Sequence, residues 1–186
     1  ANLDDIREDL TAAGAWLLRD PAFLAAVRTG QVPDLEERLG LALRLKAVDE
    51  ALVADTGGTV LARLRADGVP VHGGAVGDQA GFRQASGGAA STGLARSEAG
   101  FPQQEIWLPL PAPAGDRPPG VLRLASFLDQ ADLDRFRART GLDASLFLGE
   151  ARLVTTLRQP SGAPLTDVAA DPTTLAAVVG GGRELH

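Results

Sequence analysis

The chain has 186 residues, 45% of them hydrophobic and 23% charged, enough to bury the core of one domain or two small ones. Eighteen basic against twenty-four acidic residues give a net charge of −6, which argues against nucleic acid or an anionic lipid surface as the main partner. With no Cys and only two histidines, His72 and His186, thiol redox chemistry, thiolate zinc and a histidine-rich metal centre are excluded, and no cofactor is implied.

No apolar run approaches the roughly 20 residues that span a bilayer, and no signal-peptide pattern opens the chain. A start at Ala1 and a stop just past Gly180–Gly182 read as a piece of a longer protein. Residues 1–48 read as a helical scaffold. Leu3, Ile6, Leu10, Ala13, Trp16 and Leu17 recur at three and four residues and make an amphipathic helix whose stripe needs a partner. Asp20-Pro21 reads as an N-cap with proline at N1, opening a short helix through Phe23, Leu24 and Val27 to Gly30. Pro33-Asp34 opens a third helix carrying Leu35, Leu39, Ala42, Leu43 and Val48.

Residues 49–128 change to a strand pattern. Ala51–Asp55 and Thr59–Arg65 form a hairpin about Thr56-Gly57-Gly58. A Gly-rich loop and a short helix over Asp78–Ser86 follow, then strands at Ala90–Arg96, Gln104–Leu110 and Gly120–Phe127, the last two joined by a Pro- and Gly-rich loop. The expected fold is α+β: N-terminal helices packed on a five-stranded antiparallel sheet. Residues 129–186 then supply a connecting helix, Asp129–Arg139, with Leu133 and Phe136 inward. A second hairpin, Ala144–Leu148 with Arg152–Leu157 about Gly149-Glu150, and a last helix capped by Asp171-Pro172 complete a partial second α+β lobe.

The order of these elements, with the phrases Val53-Ala-Asp-Thr-Gly-Gly-Thr-Val-Leu61, Phe82-Arg-Gln-Ala-Ser-Gly-Gly88, Ser91-Thr-Gly-Leu94, Leu108-Pro109, Gly120-Val-Leu-Arg-Leu124 and Gly141-Leu-Asp-Ala-Ser-Leu-Phe-Leu148, resembles the Cache family of bacterial extracytoplasmic sensor domains. The double-lobed members stand in front of histidine kinases, chemoreceptors and diguanylate cyclases. The resemblance implies a PAS-like membrane-distal lobe, a proximal lobe that is truncated here, and membrane attachment only through segments outside this chain. It also implies an extracytoplasmic location and signalling by movement of helices. The family's amino-acid sensors use a set of aromatics with Arg and Asp, whereas this chain has no Tyr and eight aromatics in all.

A catalytic reading fails: there is no G-x-S-x-G, no G-x-x-x-x-G-K-[ST], no H-E-x-x-H, and Lys46 is the one lysine. Glycines 73, 74, 77, 81, 87 and 88 lack the strand-to-helix context of a phosphate cradle and read as a mobile loop beside a pocket. Asp4, Asp5, Glu8 and Asp9 form a solvated helix face rather than a calcium loop. Alternation places Glu105 and Trp107 on one sheet face, and Arg123 with Val121 and Ala125, so these three are expected to line a cleft between sheet and short helix. Arg83, Thr92 and Arg96 are expected to close it from the other side. Guanidinium forks suit a carboxylate or phosphate, so the expected partner is a small anionic ligand. Arg is also 17 of the 18 basic residues, so solvated surface arginines are the plain alternative, as core packing is for Trp107 and strand filling for Thr92. His72 reads as an exposed loop residue outside the site. The stripe from Leu3 to Trp16 offers a homodimer seam. The competing function is a ligand-free structural or dimerisation module of the same receptor.

Overall fold

The computed structural model describes residues 3–45, 48–67, 70–71, 73–98, 100–148 and 151–165. Lys46, His72, His186, the Gly149-Glu150 turn and the expected helix after Asp171-Pro172 lie outside the described residues. The described residues divide into two compact units, one within 3–94 and 103–127, the other within 95–102 and 128–165.

The first unit opens with helices α1 (Leu3–Leu17), α2 (Pro21–Thr29) and α3 (Val32–Leu45). The Asp20 carboxylate accepts the Ala22 N–H at 2.9 Å and caps α2, while Gly30 closes it in the left-handed region at φ 66°. Strands β1 (Glu50–Asp55) and β2 (Val60–Arg65) follow, then helix α4 (Ala80–Ser86) and strands β3 (Ser91–Arg96), β4 (Pro102–Pro109) and β5 (Gly120–Phe127). Asp55 shapes the first hairpin turn, its carboxylate accepting the N–H groups of Gly57 and Thr59 at 2.9 Å each.

The sheet runs β2-β1-β5-β4-β3, with antiparallel pairing of β1 to β2 and of β5 to both β1 and β4. As expected from the sequence, N-terminal helices pack on a five-stranded sheet. Helices α1 and α3 cover the face bearing Leu64, Ile106, Leu108 and Leu124; a Cβ on Gly14 would meet the last three, and one on Gly40 would meet Leu64. Ile6, Leu10, Ala13 and Leu17 spend the α1 stripe within this chain, leaving Leu3 and Trp16 about 40% exposed as its outward apolar members. On the opposite face Leu52, Ala54, Trp107 and Val121 pack with Val76, Phe82 and Ala85 from α4 and the loop before it.

The second unit holds α5 (Gln130–Thr140) and the hairpin of β6 (Ser145–Leu148) with β7 (Ala151–Thr155), a smaller α+β lobe. A capping box closes α5 between Asp129 and Asp132, and Gly141 ends it at φ 74°. Leu133 and Phe136 are half-buried on α5, and the lobe's fully buried groups include the hydroxyl-bearing Thr155 and Thr156. Thr156 Oγ1 donates to Asp143 at 3.0 Å and accepts the Ala144 N–H at 2.8 Å.

Two outcomes follow from this packing. An Ala at Gly120 would drive its Cβ into the Ala54 carbonyl of the neighbouring strand, whereas one at Gly93 meets nothing within 4 Å. Urea denaturation should show Gly120→Ala costing about 2 kcal/mol and Gly93→Ala less than about 0.5 kcal/mol. Burial alone would raise the Asp132 carboxyl, but the Asp129 N–H and Arg135 outweigh it and hold the group below its ordinary 3.8. Its contribution to stability is therefore present above about pH 4 and is lost as pH falls through the lower folded value. The acid limb of a Tm-against-pH curve should flatten in Asp132→Asn.

Candidate functional site

Register brings three of the sequence-derived residues together on the α4 side of the sheet. Trp107 stands opposite Arg123 and Glu105 opposite Ala125 in the β4–β5 ladder, so the period of two aligns all four on one face. Glu105 accepts the Trp107 indole N–H at 2.8 Å through Oε1, and its Oε2 lies 3.5 Å from Arg123 Nε. The Arg123 guanidinium also lies over the Trp107 ring, 5.5 Å from its centroid.

Two further charged residues, absent from the sequence-derived set, complete the arrangement. Glu50 stands opposite Ala125 from the β1 side and beside Arg123. Its Oε1 accepts from Arg123 Nη2 at 2.5 Å and its Oε2 from Arg63 Nη2 at 3.0 Å. Gln103 donates from Nε2 to Glu105 Oε2 at 2.9 Å, while its own Oε1 is buried with no hydrogen-bond partner. Glu50, Arg63 and Arg123 are each more than 90% buried. Two carboxylates thus meet two guanidiniums in a place largely withdrawn from water, with Glu105 at its partly exposed end, and their formal charges cancel. The alternation Glu50, Leu52, Ala54 was the available signal for Glu50, since it places that carboxylate on the face of the α4-side core.

The remaining expected residues stand apart from this group. Arg83 is exposed on α4 and donates from Nη1 to the Asp78 carbonyl at 2.6 Å. Thr92 is exposed on β3, the edge strand. Arg96, also exposed, belongs to the second unit. Above the network α4 is seated directly on the sheet: the Phe82 and Trp107 rings meet edge to face with centroids 6.5 Å apart. A separate cleft of about 450 Å³ opens between Gly87-Gly88 at the end of α4 and the β4–β5 loop, with Asp116 and Arg117 in its lining. Among the described residues no three His, Cys, Asp or Glu side chains gather as metal ligands, and no helix is long and apolar enough to cross a membrane.

The sequence matches no protein-family model and no curated protein. Its fold, however, is that of bacterial sensor domains. A domain of a protein assigned to the sensory box/GGDEF family of Vibrio parahaemolyticus superposes with a TM-score of 0.53 at 15% identity, covering 67% of this chain. The extracellular domain of a protein assigned as a histidine kinase, vpHK1S-Z8, gives 0.53 at 16% over the same share. The sensor domain of the V. cholerae histidine kinase DctB gives 0.58 at 13% identity, covering 95% of this chain and 74% of that one. This chain spans about half the length of the first two, 54% and 52%.

The buried network sets a clear stability test. Removing the carboxylate that Arg63 and Arg123 share leaves buried positive charge without that partner, and Glu50→Ala should cost about 3–5 kcal/mol in urea denaturation. Exposed Arg83→Ala should stay within about 0.5 kcal/mol of the parent.

Proposed function

We propose that the chain is an extracytoplasmic sensor domain of a bacterial membrane receptor, of the histidine kinase, chemoreceptor or diguanylate cyclase kind. The observation that carries this reading is the shared architecture of N-terminal helices, five-stranded sheet and smaller second lobe, which follows the DctB sensor domain over 95% of the chain. In this reading the first unit is a PAS-like Cache lobe, and the receptor is anchored by segments outside residues 1–186. Helix movement in a homodimer carries the signal, and α1 contributes its outward residues, Leu3 and Trp16, to the seam. Ligand binding drives that movement only if the two packings differ in affinity.

The ligand we propose is a small anionic molecule recognised on the α4 side, with Arg83, Thr92, Glu105, Trp107 and Arg123 of the first unit as its candidate contacts; Arg96, expected from the sequence beside them, falls in the second unit. Cancelled charge beneath α4 constrains it: an anion reaches Arg123 only by replacing Glu50 or Glu105 as partner, or else it binds the exposed Arg83 nearer the surface. A second reading, a ligand-free structural or dimerisation module of the same receptor, is favoured by one observation. The expected cleft at Glu105, Trp107 and Arg123 is filled by their own side chains and by Phe82.

A thermal-shift screen of mono- and dicarboxylates, phosphates and neutral metabolites separates the two. A sensor should gain about 2–3 kcal/mol at a hundredfold excess over Kd, read as a rise of several degrees in Tm. Arg83→Ala, at an exposed position, should reduce that rise. No stabilisation across the screen selects the structural module. Arg123 is a poor test residue, because its truncation strips Glu50 and Glu105 of a buried partner whether or not a ligand binds.

A further inference from the structure

A cleft of about 590 Å³ opens on the helical layer of the first unit, lined by Ala12, Ala15, Trp16, Arg19, Asp20 and Arg38 and by no residue of the sheet. Its size is that of a small-molecule site. Ala12, Ala15, Trp16 and Arg19 stand three, one and three residues apart along α1 and the turn that ends it, so the helical period sets them on one face. The sheet takes a different face of α1: Leu10, Ala13 and Leu17 are fully buried, and a Cβ on Gly14 would meet Leu108. The 40% exposure of Trp16 therefore falls in the cleft, where the indole is an apolar wall beside two alanines that leave room above the helix.

The charges around that wall are not matched. Asp20 is fixed on both sides, its N–H bonded to the Leu17 carbonyl at 3.0 Å and its own carbonyl to the Leu24 N–H at 3.1 Å, and its Oδ1 is spent on the α2 cap. Its Oδ2 has no hydrogen-bond partner and lies 3.8 Å from Arg38 Nη1, near enough to aim that guanidinium and too far to occupy its donors. Among the described residues neither Arg19 nor Arg38 donates a hydrogen bond to the protein. Two guanidiniums, always charged, against one pinned carboxylate leave the cleft a formal charge of +1. The network beneath α4 is the reverse, with its guanidiniums buried and already paired.

We propose that this cleft binds a flat aromatic carboxylate, with its ring against the Trp16 indole and its carboxylate held by the guanidinium fork of Arg38, Arg19 serving as second donor. An indole wall rewards a flat, apolar body, and a planar fork with free N–H groups suits a carboxylate, so the two halves of the site ask for the two halves of one molecule. Asp20 acts as a positioning residue through Arg38. The inference does not rest on the sensor reading or on the α4-side contacts.

Titration of the 186-residue chain with benzoate, benzamide and acetate, followed by ¹H–¹⁵N NMR of the Trp16 and Trp107 indole N–H groups, tests it; Trp16→Phe tells the two signals apart. Benzoate should move the Trp16 signal with a Kd of about 1–5 mM and leave that of Trp107 in place. Benzamide, which lacks the charge, and acetate, which lacks the ring, should each bind at least about tenfold more weakly. Arg38→Gln should weaken benzoate at least about fivefold at unchanged Tm. Should Arg38→Gln disturb the Asp20 corner, Arg19→Gln at its exposed position decides. The cleft is overturned if about 20 mM benzoate leaves the Trp16 signal unmoved, or if benzamide and acetate match benzoate. A Trp16 signal that follows protein concentration instead of benzoate assigns the cleft to a second copy of the chain and overturns the proposal as well. A response confined to Trp107 and removed by Arg83→Ala overturns the cleft and keeps the sensor reading, whereas binding at Trp16 with no response on the α4 side supports the cleft alone.

Discussion

The carboxylate of Glu50 is divided between two arginines, and the first unit is arranged around that division. One oxygen takes Arg63 from β2 and the other takes Arg123 from β5, which in turn reaches Glu105 on β4. A chain of alternating charge thus crosses four neighbouring strands on one face. Buried ions are costly unless paired, so the arrangement penalises every alternative in which one is left alone. A slip of one residue in the β1–β5 ladder would turn Glu50 or Arg123 towards the apolar face under α1 and α3. Hydrophobic strands such as Val53–Ala54 and Val121–Leu122 could pair in several registers on greasiness alone; the ions select one. Trp107 extends the chain of contacts, because its ring takes Arg123 on its face, its N–H bonds Glu105, and its edge receives α4.

Much of this architecture was legible where its cause is local. Asp20-Pro21 and Gly30 bracket α2 because capping involves residues two or three positions apart, and the β5 boundaries follow from Gly120 and an unbroken β-forming run. Alternation also placed Glu105, Trp107 and Arg123 on a shared face. It could not show that Arg123 already has a partner, because Glu50 lies 73 residues away and only the β1–β5 pairing joins them. The helical period made Trp16 a stripe member, yet an indole at the margin of the stripe is left 40% exposed once Leu10 and Ala13 occupy the contact with the sheet. Arg83, Thr92 and Arg96 were beyond local reasoning for the same cause. Whether a loop or edge strand turns a side chain towards a cleft depends on tertiary contacts that no short window contains.

The second unit follows different physics. Its fully buried residues include two threonines, and their hydroxyls bond to Ala144, Ser145 and Asp143, so hydrogen bonding carries a share of what apolar burial supplies in the first unit. Arg152, which lies over the Phe147 ring and donates to the Leu165 carbonyl, adds another polar tie. A sequence reading sees Thr155 and Thr156 only as strand formers.

Next to Glu50, Asp49 points the other way and does a separate job. Its Oδ2 accepts the Phe127 N–H at 2.7 Å and the Ser126 hydroxyl at 3.2 Å, and its own N–H donates to the Ala125 carbonyl at 2.9 Å. The residue that leads from the α3 segment into the sheet is therefore latched to the residue at which the chain leaves it. In mechanical terms the ingress and egress of the sheet form one anchorage: a tug arriving along the N-terminal helices is handed to the end of β5 across three hydrogen bonds, without first deforming the core between them.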